Sequence, residues 1–168
     1  MTYSSITKNL GDIERKLTKS IKILEKQEKM SVGDTIKLAR KTNSIVSTIN
    51  KGIKDYENYT PSEDEAKKIF DQMTKVVDQT EKQLTLLVSN KAHFEKLHVG
   101  GLVKKNMGKS DEASARLAEV MLTKAPASLK PQAEELNKRR VDGFAKGKAA
   151  FASATGGEDQ AEGEDDSD

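Results

Sequence analysis

His93 and His98 are the only imidazoles in the chain, and at a spacing of five residues they do not share a helix face. There is no cysteine to complete a tetrahedral site with them, so the pair predicts solvated loop residues and no metal centre. The same absence excludes disulfides and thiolate nucleophiles. No G-x-S-x-G elbow and no glycine-rich phosphate loop ending in Lys-Ser/Thr occurs. Glu134 and Glu135 are an acid pair, but neighbouring helical side chains point about 100° apart and do not act on one atom. No catalytic residue and no cofactor are predicted, and the chain reads as non-enzymatic.

Basic clusters are the next candidates: Lys104-Lys105 and Lys138-Arg139-Arg140. Lys and Arg number 29 against 27 Asp and Glu, yet seven of those acids fall within residues 158–168, so the remaining body carries 29 against 20. A body with a surplus of nine cations attracts anionic lipid or nucleic acid through counterion release, with the acidic tail as an internal competitor. Against nucleic acid stand the interspersed acids and an aromatic content of 4%, so a solvated helix face is the preferred reading. Gly143 and Gly147 have G-x-x-x-G spacing without an apolar 20-mer around them, which predicts close helix packing and not a membrane dimer. Asn58-Tyr59-Thr60 matches the glycosylation acceptor pattern, with Pro61 directly behind it.

The elements that must position these groups are helices. Ile6, Leu10, Ile13, Leu17, Ile21 and Leu24 are spaced by four and three, and no period-two alternation appears. A second stripe runs Val32, Ile36, Ala39, Val46, Ile49, Ile53, Tyr56, behind Ser31 as cap and Asp34 in the first turn. A third opens with Ser62 and Glu65 at capping-box spacing and carries Ala66, Ile69, Phe70, Met73, Val76, Val77, Leu84, Leu87 and Val88. The pair Gly100-Gly101 predicts a loop before a fourth helix, which Pro126 closes. A fifth starts at or just after Ser128 and carries Leu129, Ala133, Leu136, Val141, Phe144 and Phe151. The expected fold is all-α, an antiparallel bundle of about five amphipathic helices over residues 1–155, with residues 156–168 a disordered, self-repelling acidic tail. No apolar run is long enough for a transmembrane segment.

Leu122-Thr123-Lys124-Ala125-Pro126-Ala127-Ser128-Leu129-Lys130-Pro131-Gln132-Ala133, followed by Val141-Asp142-Gly143-Phe144-Ala145-Lys146, resembles the final helix junction of a known family. That family is the fungal hydrophobic surface binding protein A group, which includes the antigenic cell-wall galactomannoproteins. Lys91-Ala92-His93-Phe94 is similar to the segment after the family's third helix, and Ile6 to Tyr59 matches in its pattern of Ile, Leu and Thr. The resemblance implies a secreted or wall-associated five-helix bundle that adsorbs to hydrophobic surfaces, or holds long-chain fatty acids, and recruits secreted esterase- or cutinase-like hydrolases. Family members begin with a secretory leader and this sequence does not, which keeps an intracellular structural or interaction bundle as the alternative. The acidic tail is outside the family pattern.

On the family reading, the adaptable side chains that would line a lipid cavity are Phe70, Met73, Val77, Leu87, Met107, Met121, Phe144 and Phe151. The competing reading is that each is ordinary core. A cation at a cavity mouth would pair with the fatty-acid carboxylate, and the sequence does not single one out.

Overall fold

Apolar stripes at helical spacing become the inner faces of a bundle in the computed structural model, which describes residues 2–167. The helices are α1 (Thr2–Leu24), α2 (Val32–Glu57), α3 (Glu63–Ser89), a short α4 (Lys91–Lys96), α5 (Gly100–Lys124) and α6 (Lys130–Ala150). Met1 and Asp168, the outer ends of the two predicted regions, lie outside the described residues. Two starts are fixed by reciprocal caps. Ser31 Oγ accepts from the Asp34 N–H while Asp34 accepts from the Ser31 N–H, each at 3.0 Å. Ser62 and Glu65 do the same at 3.2 and 3.0 Å. Each box satisfies two amides that a helix start otherwise leaves open. No described helix is long and apolar enough to cross a membrane.

The six predicted positions of the first stripe are all buried. On α2 the buried line is rotated from the expected one: Thr35, Leu38, Thr42, Ile45 and Ile49 face inward, and Val32 is exposed. Threonines carry that inner line, which hid it from a hydrophobicity pattern. Val141, expected on the α6 stripe, is 46% exposed.

Successive long helices run in opposite directions, and the chain closes them in a lateral order of α1, α2, α5, α6, α3 and back to α1. Contacts fix the directions. Asn9 meets Asp55 and Lys16 meets Thr48, so α1 and α2 are antiparallel. Gln72 donates to the Thr7 carbonyl and Gln79 to Thr18, so α1 and α3 lie parallel. Five staves enclose one interior, whose apolar residues form two clusters. The first holds Ile13, Leu17, Phe70, Val77, Leu117 and Met121; the second holds Leu38, Leu84, Leu87, Met107, Phe144 and Phe151.

Two segments differ from expectation. Gly100 and Gly101 are the first residues of α5 and not a loop. A Cβ on Gly101 would stand 2.6 Å from the Gly156 amide nitrogen, so glycine is there for close approach of a second segment. That segment is the acidic tail. Helix α5 has no side-chain cap, and the Gly156 carbonyl accepts from the Leu102 N–H at 2.9 Å in its first turn.

The tail itself carries no helix or strand, but residues 156–167 are laid against the bundle where the sequence predicts disorder. Lys105 donates to the Glu158 carbonyl, Arg40 to that of Glu162, and Asn43 to those of Ala161 and Gly163. Arg15 makes a two-pronged contact with the Asp166 carboxylate at 3.2 and 3.1 Å. Cations on α1 and α2 offset the repulsion among the tail's acids, a long-range effect that local composition does not reveal.

Candidate functional site

The inward faces of the helices leave three small voids in series. Near the start of α3, Phe70, Met73, Val77, Met121, Ala133 and Arg140 border a space of about 20 Å³. The central void, about 40 Å³, is bordered by Ile13, Leu17, Ile45, Ile49 and Leu117, and shares Met73, Val77 and Arg140 with the first. A third, about 30 Å³, lies between Leu38, Leu87, Leu102, Val103 and Met107, and shares Gln83, Leu84, Ser110 and Phe144 with the central one. The three form one apolar seam along the bundle, interrupted by Met73 with Val77 and by Leu84 with Phe144. The central void stands where the two core clusters meet.

Each void is the size of a few waters, whereas occupied small-molecule sites run to about 300–1,000 Å³. The seam as it stands is therefore too narrow to hold a ligand of that size. Helix α6 is the stave with least to hold it. It buries four of its 21 residues, Ala133, Leu136, Phe144 and Gly147, against eight of 23 on α1. Outside the seam, between α3 and α6, lies an open groove of about 650 Å³. Leu84, Glu81 and Arg139 border both the groove and the central void, so they form the wall between solvent and seam. A Cβ on Gly147 would stand 2.7 Å from Met107 Sδ of α5 and one on Gly143 3.3 Å from Leu84 Cδ1 of α3, so the two glycines let α6 pack closely on two different neighbours.

Two arginines sit beside the seam in different electrostatic settings. Arg139 is paired with two acids, Asp78 at 2.6 Å and Glu81 at 3.1 Å from Nε, and these hydrogen bonds, Glu81's first, push its pKa up. Arg140 contacts Asp111 at 2.9 Å, and Lys148 pairs with that same carboxylate. Around Arg139 acids outnumber the cation, and around Asp111 cations outnumber the acid. An incoming carboxylate is repelled at the first and attracted at the second. The side chain of Arg140 is only 10% exposed, so its attraction is less screened than that of a surface cation. Ser110 and Ser114 border the central void on the adjoining face of α5 and add hydroxyl donors.

All eight residues singled out from the sequence border a void or pocket, although not the same one. Phe70 and Met121 stand at the first void, Met73 and Val77 at the first and second, Phe144 at the second and third, and Leu87 and Met107 at the third. Phe151 is apart: fully buried at the end of α6, it packs on Phe94 with ring centroids 6.3 Å apart and borders a shallow outer pocket with Lys104 and Met107. Ile13, Leu17, Ile45, Ile49 and Leu84 line the seam and were legible only as stripe residues. Gln83 and Ser110 carried no sequence signal that separated them from surface polar residues, and Arg140 was visible only as a member of the Lys138-Arg139-Arg140 cluster, for which a solvated face was the preferred reading.

Neither histidine borders the seam. His93 Nε2 is 2.8 Å from the Met30 carbonyl and ties α4 to the turn before α2, and His98 is exposed. Among the described residues no group of His, Asp and Glu is arranged to hold a metal ion. Asn58 is exposed at the end of α2.

The family model described as hydrophobic surface binding protein A matches residues 3–123. Ligand binding domain 2 of the Penicillium marneffei MP1 protein, solved in complex with arachidonic acids, superposes with a TM-score of 0.82 at 25% identity, over 90% of this chain and 95% of that one. Ligand binding domain 1 of the same protein, also complexed with arachidonic acids, gives 0.81 at 22% identity over 90% and 99% of the two chains. AFMP4P in complex with palmitic acid gives 0.83 at 14% identity over 89% and 99%. At those last two identities the likeness is one of fold. No curated protein matches the chain.

Proposed function

This chain belongs to the hydrophobic surface binding protein A family, and from that membership we propose that it holds a long-chain fatty acid along the axis of its bundle. The observation that carries the reading is the series of three voids that share their bordering residues, so that rotation of Met73 and Phe144 joins them into one channel. The acyl chain replaces loosely packed side-chain contacts with its own, and the gain is burial of its methylenes at about 0.8 kcal/mol each. Arg140, assisted by Ser110 and Ser114, receives the carboxylate, while Arg139 remains committed to Asp78 and Glu81. Uptake proceeds through the α3–α6 groove by outward movement of α6. Seven of the eight residues named from the sequence serve as lining on this reading, and the eighth, Phe151, anchors the end of α6 against Phe94.

No step in this function makes or breaks a covalent bond, so the protein acts as a binder and not as an enzyme. Adsorption to hydrophobic surfaces uses the same stripes, turned outward when α6 lifts, and recruitment of secreted esterase- or cutinase-like hydrolases follows from that adsorption. Secretion or wall association fits this role, and Asn58, exposed ahead of α3, is then a glycan acceptor. Titration of delipidated protein with a fluorescent long-chain fatty acid tests the proposal. Saturable binding at fixed stoichiometry that Arg140→Ala weakens supports an enclosed site; unsaturable uptake insensitive to Arg140 refutes it.

A further inference from the structure

The tail lies across a strongly basic surface that the fatty-acid site does not use. Arg15 and Lys19 on α1 and Arg40 and Lys41 on α2 all turn toward it. Lys41 is covered so completely that its side chain is 2% exposed, with the Ser167 carbonyl as acceptor and Asp165 at 3.9 Å. Burial lowers its pKa, and the Asp165 charge opposes that shift. A lysinium covered in this way is held against a desolvation cost that Asp165 only partly offsets, and it regains full solvation when the cover lifts.

The path of the tail adds a second observation. Between Glu158, held by Lys105 of α5, and Glu162, held by Arg40 of α2, the tail passes over the seam between α5 and α2. Behind that seam lies the third void, bordered by Leu38 and Thr42 of α2 and Leu102 and Val103 of α5. Displacing the tail thus bares a row of cations and the outer side of the lipid channel together.

We propose that this α1–α2 face is a docking surface for the anionic headgroups of a lipid bilayer, which the protein's own acidic tail occupies until the bilayer displaces it. The choice of a bilayer rests on the fatty-acid reading, since the bilayer is where such ligands dissolve. It also rests on chemistry: the cations contacting the tail come from three helices, Arg15 and Lys19 of α1, Arg40 and Lys41 of α2 and Lys105 of α5, and no aromatic side chain stands among them to stack nucleic-acid bases. Juxtaposed lysines and arginines gain from the negative surface potential of such a membrane, and the gain is lost with salt.

The test uses the full chain. One variant neutralises the tail with Glu164→Gln, Asp165→Asn and Asp166→Asn. A second, Gly101→Ala, pushes the tail from its seat without changing charge, because the new Cβ would meet the Gly156 amide at 2.6 Å. Both are expected to bind phosphatidylserine-rich vesicles about tenfold more tightly than the parent, with no gain on pure phosphatidylcholine vesicles. Adding Arg15→Gln and Arg40→Gln to either variant should cancel the gain. The proposal is overturned if vesicle affinity is unchanged while helical circular dichroism is intact. It is also overturned if the gain survives loss of Arg15 and Arg40, or if heparin or DNA is preferred over vesicles of equal charge. A vesicle-free fatty-acid titration of the parent separates the two readings. Fatty-acid binding without a vesicle gain sinks the docking face alone, and a vesicle gain without fatty-acid binding upholds the face and sinks the seam.

Discussion

Phe144→Ala is the perturbation that discriminates most sharply between a lipid channel and an ordinary core. Phe144 is 3% exposed and separates the central void from the third one. Truncating a buried Phe costs about 3–5 kcal/mol, made of lost transfer energy plus the cavity left behind at ~24 cal/mol per Å³. On that scale, each further opening the size of the central void, about 40 Å³, costs about 1 kcal/mol. Because two sides of the ring already face empty space, it gives up fewer contacts than a fully packed ring, and the cost falls at the lower end, about 3 kcal/mol. For a chain of this size that lowers Tm by roughly 6–12 °C. The truncation also joins the two voids, so a fatty acid no longer has to displace the ring. Thermal unfolding of delipidated protein, with and without saturating fatty acid, should show a lower apo Tm and a larger ligand-induced rise in the variant than in the parent. An equal or smaller rise would mean that Phe144 is not in the path of the acyl chain, and the channel would be refuted.

Three further outcomes are expected. Arg140→Ala should weaken fatty-acid binding by about tenfold to a hundredfold, the worth of one charge-assisted hydrogen bond, while Arg139→Ala leaves it near the parent value; isothermal titration reads both. Gly101→Ala removes a helix glycine, which by itself stabilises by about 1 kcal/mol, so a rise in denaturation midpoint would show that the tail is not seated on α5 in solution, and a fall that it is. The Asp34 carboxyl is held below the usual range first by the Ser31 amide and then by Lys26. Its contribution to stability is complete above the ordinary carboxylate pKa and is lost as pH falls through the lowered value. Asp34→Asn should therefore cost stability at neutral pH and little in acid, whereas Ser31→Ala, which removes only the acceptor of the Asp34 N–H, should cost about 1 kcal/mol across that range, as followed by urea unfolding.

Much of this molecule is written locally. The stripe from Ile6 to Leu24 specifies α1, the spacing of Ser62 and Glu65 specifies where α3 begins, and prolines at 61 and 126 specify where helices stop, because each depends on residues within one or two turns. The candidate lining residues were legible as well, since large flexible side chains on a stripe must face the interior. Lateral order was not. Which staves adjoin, and hence that Leu84 and Phe144 divide one seam, depends on contacts between residues tens of positions apart. The inner line of α2 was hidden because threonine buries its methyl while reading as polar. The difference between Arg139 and Arg140, adjacent in sequence, arises only from which carboxylates α3 and α5 bring to each. The tail makes the same point most strongly. Its composition alone predicts repulsion and disorder, and only the basic face assembled by α1 and α2 supplies the opposing charge that seats it. Short-range sterics and capping act through sequence neighbours, whereas charge pairing and cavity shape are sums over neighbours in space.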